Sequence, residues 1–257
     1  SAFALSGYLM LYMAQYNIIL AFIIPLLAGA VIGFINGVLI EKLSIPAFIA
    51  TLATQMFVRG LVQMFCNEVT YKIDVIPVPV LALGRLTFGN LIPLPLLLFV
   101  AATLIVAFVL KRRFIGRSMY IVGGNREAAN MMGVSVPKTM ITAHILCSVL
   151  TCIGGMIYTS RVGVASPLAG TGYEMYAIAA VVLGGAKLTG GVGKVSGSFI
   201  GTLIMSSFSN IFSMQNILDA VWSDVVVGAV LLIVIMVQAA VTLRSGGKKN
   251  KAQTGAV

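Results

Sequence analysis

A glycine-rich, basic stretch at residues 184–195 is the first place where this sequence could do chemistry, because such stretches can bind phosphate. A phosphate-binding loop has a glycine, then Gly-Lys five residues later, then Ser or Thr, so that backbone amides and a hydroxyl meet the nucleotide and its magnesium. Counting back from Gly193-Lys194, the first glycine position holds Leu188, and Val195 stands where the hydroxyl is required. The stretch therefore predicts no ATP site, and we expect this chain to bind no cofactor.

The ionisable side chains form no hydrolytic or metal-binding pattern. His144 is the single histidine and lies in an apolar segment, which favours a role in helix packing. Asp219 and Asp224 are five residues apart and do not share a helix face. No carboxylate stands mid-span beside a basic partner, as a proton relay in an ion-coupled carrier usually requires. The sequence predicts neither an enzyme nor a metal site, and it weakens the ion-coupled alternative.

The elements that position these residues are apolar helices. The chain of 257 residues is 59% hydrophobic and 9% charged, whereas soluble domains carry about a quarter charged residues. Apolar stretches of about twenty residues match the 30 Å of hydrocarbon that a helix must cross. The predicted spans are 18–40, 46–65, 92–110, 139–158, 196–213 and 222–243, with 1–14 as the outer end of a truncated helix and 174–186 as a short, tilted or re-entrant helix. We therefore predict an all-α fold class, a polytopic helical membrane protein, and we expect it to be N-terminally truncated.

Basic residues are distributed unevenly between the loops that join these spans. If the loop 111–138 is cytoplasmic, thirteen of the seventeen Lys and Arg residues fall inside and four outside. Dense basic loops stay in the cytoplasm, so the tail 244–257 and the C-terminus are predicted to be cytoplasmic. The net charge of +10 is then explained by orientation and by contact with anionic membrane lipid rather than by nucleic acid.

Two runs of glycine recur every four residues, which places each run on one helix face where backbones can approach closely. We expect both to serve helix packing: Gly29, Gly33, Gly37 and Gly193, Gly197, Gly201.

The loop 111–138 contains a short segment with the features of a capped helix. Asn125 can accept from free backbone amides, Glu127 suits the positive helix start, and Gly133 can end the helix. A small helix beyond the membrane, without apolar neighbours of its own, is expected to dock onto a partner or to lie on lipid headgroups. The predicted coupling residues are Asn125, Arg126, Glu127, Ala128, Ala129, Met131 and Gly133.

Three segments carry a resemblance to a known family. Residues 123–133, GGNREAANMMG, are similar to the coupling loop in the permease subunits of bacterial ATP-binding-cassette (ABC) sugar importers of the ribose type. Residues 171–201 resemble that branch's most characteristic stretch, with Tyr176 where the family pattern has an acidic residue, and residues 45–60 also match. The similarity runs over essentially the whole chain, and about two upstream helices of the family pattern are missing from it.

The resemblance implies a permease in the bacterial inner membrane that works by alternating access. A periplasmic sugar-binding protein would deliver a simple sugar of the ribose, xylose or galactose class. A second permease subunit, identical or different, would complete the pathway. Cytoplasmic ABC ATPases would hold ATP and magnesium and act through the 125–133 helix. The permease domain would comprise residues 1–243, followed by the basic tail 244–257.

A sugar pathway needs uncharged polar groups inside the membrane, because sugars carry many hydroxyls and no charge. Such side chains usually point inward, although Ser and Thr also bond to their own helix carbonyls. The candidates are Asn36, Thr51, Thr54, Gln55, Ser206, Ser207 and Asn210. Three alternatives stay open here: a branched-chain amino-acid ABC permease, an ion-coupled secondary carrier and a membrane scaffold without transport activity.

Overall fold

A computed structural model describes most of the chain. The described residues are 1–67, 69–73, 76–89 and 92–214, with the single positions 225, 228, 229, 232 and 236. Apart from those single positions, the predicted span 222–243, the carboxylates Asp219 and Asp224 and the tail 244–257 lie outside them. The chain divides into two compact units, residues 1–171 and 172–257, and each is described by itself.

The first unit is built of eight helices and one short hairpin among its described residues. The helices are α1 (Ala2–Ala14), α2 (Ile18–Glu41), α3 (Ala47–Phe65), α4 (Val78–Arg85), α5 (Leu94–Arg112), α6 (Phe114–Gly124), α7 (Arg126–Met131) and α8 (Val136–Val162), and the hairpin pairs β1 (Thr87–Phe88) antiparallel to β2 (Ile92–Pro93). By length and composition, α2, α3, α5 and α8 are able to cross a membrane. The predicted all-α fold class is confirmed.

The helices α2 and α8 meet backbone to backbone along the first glycine run. A β-carbon on Gly29 would stand 2.6 Å from the Cys152 sulfur, and one on Gly37 would stand 2.7 Å from the Ile141 α-carbon. Gly33, between them, lies against the backbone of His144. All three glycines of this run therefore face α8, and no side chain larger than hydrogen fits at the crossing without movement.

The core of the first unit lies around α1. Met10 and Leu11 are fully buried there, together with Val62 of α3 and Val80 of α4. On its other side α1 meets α8, where the Phe3 carbonyl lies against Gly155. By contrast, α5 has no buried residue, so its apolar side chains are left to face lipid or another subunit.

The segment 67–90, which the sequence predicts to be a loop, contains helix α4. Pro77 precedes the helix in an extended conformation, and Pro79 lies in its first turn, where a missing N–H costs nothing. The helix is stabilised by hydrogen bonds to another helix. Ser160 of α8 accepts a hydrogen bond from the Gly84 N–H at 2.7 Å and donates one to the Val80 carbonyl. Eight residues are too few to form a stable helix alone, so tertiary packing explains why the sequence pattern missed it.

The connection 111–138 is also more helical than predicted, since α6 and α7 fill most of it. Gly116 allows α6 to lie directly against the backbone of Leu110 at the end of α5. Two smaller differences concern helix starts. Pro46 is the residue before α3 rather than part of its first turn, and α8 begins at Val136, three residues before the predicted span.

Described by itself, the second unit contains α9 (Tyr173–Leu183) and α10 (Val195–Met214), joined by the glycine-rich turn. Gly197 and Gly201 pack against the backbone at the end of α9, at Gly184 and Ala180 respectively. The prediction that Gly193 shares their face is wrong, because Gly193 lies in the turn before α10 begins, where a β-carbon on it would approach Ala186. The second glycine run is thus a packing pair preceded by a turn residue.

Candidate functional site: helix α7 and polar groups of the spans

The start of α7 is capped by its own sequence. The Asn125 backbone is extended, with φ −158°, and its side-chain oxygen accepts a hydrogen bond from the Ala128 N–H at 3.0 Å. This bond satisfies one of the amides that an isolated helix start leaves free. Glu127 lies exposed in the first turn, where a negative charge is favourable.

The end of α7 is a Schellman turn. Gly133 adopts φ +76°, a conformation that glycine enters without strain, and its N–H donates to the Asn130 carbonyl at 3.0 Å. The Val134 N–H reaches further back, to the Ala129 carbonyl, also at 3.0 Å. These two bonds close the helix after six residues and turn the chain towards α8.

The side chains of α7 divide into an inward and an outward set. Ala129 is fully buried and belongs to a cluster with Val122 of α6, Val134 and Val136 of α8. The expectation that this helix lacks apolar neighbours in its own chain is therefore wrong. The Schellman turn brings Val134 back over Ala129, a contact that usually accompanies this motif.

The outward set is mixed: Arg126, Glu127 and Asn130 are polar, and two apolar side chains are exposed at the end of the helix. The side chain of Met131 is 83% exposed and that of Met132 is 61% exposed. Methionine is flexible and polarisable, and it is used often at surfaces that bind other proteins. Because Ala129 fixes the helix from within, the two methionines are presented on a rigid support.

Arg126, predicted to contact a partner, is engaged within the chain. Its Nη1 atom lies 3.2 Å from Oε1 of Glu41, the last residue of α2. The Glu41 side chain is only 6% exposed and that of Arg126 is 55% exposed. Among the described residues, Oε1 accepts no hydrogen bond, so the guanidinium charge is what offsets its burial.

The first four pathway candidates lie on α2 and α3. Thr51 donates to the Ala47 and Phe48 carbonyls, and Thr54 donates to Ala50, so both hydroxyls bond within their own helix. Gln55 is one turn beyond Thr51 on the same face and is half-buried. The Oδ1 atom of Asn36 is buried and has no hydrogen-bond partner among the described residues.

The remaining candidates belong to the second unit and lie on α10. Ser206, Ser207 and Asn210 are all exposed. The Ser207 hydroxyl donates to the Leu203 carbonyl at 2.8 Å, again within its own helix. The seven candidates are thus divided between the two units, four and three.

Arg59 of α3 is a polar group of the spans that the candidate set omits. Arg59 lies one helical turn beyond Gln55, on the same face as Thr51 and Gln55, and is half-buried. Its Nη1 donates a hydrogen bond to the Thr171 hydroxyl. The Nε and Nη2 atoms are buried without a hydrogen-bond partner in the part of the chain that is described. The signal was visible in the sequence, since a charged residue inside an apolar span is a functional candidate by default.

No group of His, Cys, Asp and Glu among the described residues lies together so that it could hold a metal ion. The features that stand out are therefore a short capped helix with two exposed methionines at its end, an ion pair at its start and polar side chains within the spans.

Comparison with known proteins gives three findings. The model of the family described as branched-chain amino acid transport system / permease component matches residues 1–235. The ribose import permease protein RbsC of Escherichia coli strain K12 is 32% identical over 87% of this chain and 70% of its own length. The fructose import permease protein FruG of Bifidobacterium longum is 33% identical over 90% of this chain and 69% of its own length.

A further relative matches a shorter region more closely. The L-arabinose transport system permease protein AraH of Escherichia coli strain K12 is 38% identical over 71% of this chain and 55% of its own length. No solved structure matches this chain.

Proposed function

The chain belongs to the family of branched-chain amino acid transport system permease components, and we propose that it is the permease subunit of an ATP-driven importer for a simple sugar. The observation that carries this proposal is the family match over residues 1–235 together with relatives named as ribose, fructose and arabinose permeases. The protein is a multi-pass inner-membrane protein. We infer that its substrate is of the ribose, xylose or galactose class and that residues 1–243 form one permease domain.

The energy for transport is proposed to come from a separate subunit. The glycine-rich stretch 184–195 lacks the spacing and the hydroxyl of a phosphate-binding loop. ATP and magnesium would therefore bind to a cytoplasmic ABC ATPase, and this chain would bind no cofactor.

The ATPase is proposed to contact α7. A docking helix must be rigid so that it can pass on a displacement, and it must offer apolar surface to its partner. Asn125 and the Schellman turn at Gly133 supply the rigidity, and buried Ala129 fastens the helix to the chain. Met131 and Met132 supply the exposed apolar surface, and Glu127 beside them gives it a charge.

The orientation of the chain follows from its basic residues. Placing α7 in the cytoplasm puts thirteen Lys and Arg residues inside and four outside. The C-terminus would then be cytoplasmic, and α4 would lie on the outer face. A periplasmic sugar-binding protein would approach that face, and a second permease subunit would complete the pathway.

The pathway is proposed to use uncharged polar side chains on α2, α3 and α10. Asn36 supports this most directly, because its buried oxygen lacks a partner among the described residues and could accept a hydroxyl. Thr51, Thr54 and Ser207 donate their hydroxyl hydrogens to their own helices, which leaves the lone pairs of each oxygen available to accept from a sugar hydroxyl.

The branched-chain amino-acid alternative has weaker support than the sugar. It rests on the description of the family alone, whereas the similar relatives given above are named for sugars. An ion-coupled carrier is disfavoured because relatives of this chain are permease components of ABC systems.

Uptake in proteoliposomes tests the function. The complete transporter, reconstituted with its ATPase and binding protein, is expected to accumulate labelled ribose, xylose or galactose only when ATP is enclosed with the ATPase. Collapse of the ion gradient should leave uptake unchanged. Uptake that needs the gradient and not ATP, or that accepts leucine and no sugar, would contradict the proposal.

Variants of α7 test the docking role. Met131→Glu is expected to reduce co-purification of the ATPase about tenfold or more, as for a central interface residue, while leaving membrane insertion unchanged. Glu127→Lys and Ala128→Gly should both reduce ATP-driven uptake. The matched control is Met64→Glu, at a methionine of α3 that is 65% exposed but far along the chain from α7. Undiminished ATPase binding by Met131→Glu would contradict docking at this helix.

A further inference from the structure

The carboxylate of Glu41 is in an unfavourable position for an acid. It belongs to the last residue of α2, where the helix dipole is negative and repels another negative charge. It is also almost completely buried, and its Oε1 atom accepts no hydrogen bond among the described residues. A buried charge of this kind is costly, and a nearby cation offsets the cost.

Arg126 supplies that cation from another element. It is the first residue of α7, and its Nη1 lies 3.2 Å from the buried oxygen. The pair is asymmetric: the acid is enclosed, whereas about half of the arginine side chain is exposed. Moving α7 away from α2 would leave the acid buried and uncompensated, so the two elements are expected to move together.

The helix α2, which carries Glu41, is itself packed tightly against α8. Gly29, Gly33 and Gly37 place α2 directly against the backbone of α8, so a displacement of the end of α2 is carried into α8 as well. Packed backbones of this kind respond as bodies rather than by local deformation. The ion pair of Arg126 therefore connects α7 to α2, in addition to the packing of Ala129 against Val136 at the start of α8.

We propose that the Glu41–Arg126 pair transmits displacement of α7 to α2 and so to the α2 side of the packed α2–α8 body, and that Arg126 is a positioning residue rather than an ATPase contact. This rests on the proposed function, in which an ATPase moves α7. Under this proposal, Met131 and Met132 bind the ATPase, whereas Arg126 transmits the displacement of α7 to α2.

The test is charge exchange in the complete transporter. Glu41→Gln and Arg126→Gln are each expected to lower the sugar moved per ATP hydrolysed about threefold to tenfold, the usual range for coupled neighbours. Co-purification of the ATPase should be unchanged in both. The double variant Glu41→Arg with Arg126→Glu should restore most of the coupling, because it rebuilds the pair with reversed sign.

Two exposed lysines, which the proposed orientation also places on the cytoplasmic side, provide matched controls. Lys42→Gln, next to Glu41, and Lys138→Glu, near the start of α8, alter exposed charges and should leave the ratio within about twofold, as for surface charges. Thermal unfolding of each purified permease variant separates a lost link from a lost fold.

Three results would overturn the proposal. The first is a sugar-to-ATP ratio in both single variants that matches the ratio in the lysine controls. The second is a double variant whose thermal unfolding midpoint is restored but whose sugar-to-ATP ratio is not. The third is loss of ATPase co-purification in Arg126→Gln, which would make Arg126 a docking contact. The two proposals can fail separately. If Met131→Glu left ATPase binding intact while the charge-exchanged double variant restored coupling, the proposed docking surface at Met131 would be wrong, and the role of the Glu41–Arg126 pair would be supported.

Discussion

Gly33 of α2 lies against the backbone of His144 on α8, so closely that a β-carbon on the glycine would stand 2.5 Å from the His144 carbonyl oxygen. A methyl group cannot occupy that space unless one helix moves. Gly33→Ala is therefore expected to lower the stability of the purified permease by about 1–3 kcal/mol, the usual cost of overpacking. The measurement is the thermal unfolding midpoint in detergent.

The control for Gly33 is Gly60 of α3, since a β-carbon there would meet nothing within 4 Å. Gly60→Ala should leave the midpoint unchanged or raise it slightly, because alanine is the better helix former. Equal effects of the two substitutions would contradict direct backbone contact between α2 and α8.

The hydrogen bonds between Ser160 and α4 lead to a second prediction. Ser160 is fully buried and provides the Gly84 N–H with its acceptor. Ser160→Ala would leave that amide buried without a partner, at a cost of about 1–3 kcal/mol. Thr151→Ala on the same helix is the control, because Thr151 is exposed and bonds only to its own helix. The prediction fails if the two variants unfold at the same temperature.

The cap of α7 gives a third prediction. Asn125→Ala removes the acceptor for the Ala128 N–H and should cost about 1 kcal/mol of local stability. The direct measurement is hydrogen exchange of the Ala128 amide, which should speed up about fivefold or more, as that energy implies. Asn125→Asp keeps an acceptor at the same position and should keep the protection. Unchanged exchange in Asn125→Ala would show that the cap does not hold the helix.

Cysteine labelling tests the orientation. With α7 in the cytoplasm, Ala128→Cys should react with a membrane-impermeant maleimide in inverted vesicles and remain unlabelled in intact cells. The native thiols are a manageable background: burial raises the pKa of the Cys66 thiol and so reduces its reactivity, and exposed Cys147 is replaced by Ser. Labelling of Ala128→Cys from outside intact cells would reverse the predicted topology.

Much of the fold was predictable from local patterns. The helices α2, α3, α5 and α8 followed from apolar length, and the start and end of α7 followed from Asn125 and Gly133, because caps act through bonds only a few residues long. The first glycine run indicated close packing because residues four apart share a helix face. Its partner helix could not be read from the pattern, since any neighbouring helix would use the same surface.

By itself, then, the amino-acid order determined that this is a helical membrane protein, which residues cap the short helix α7 and which family it resembles. Only the tertiary structure decided that α4 forms at all, that Ala129 points inward while Met131 points outward, and that Arg126 pairs with Glu41. The reason is distance along the chain. Glu41 and Arg126 are separated by four helices, and a contact of that kind depends on how whole helices pack rather than on any local preference.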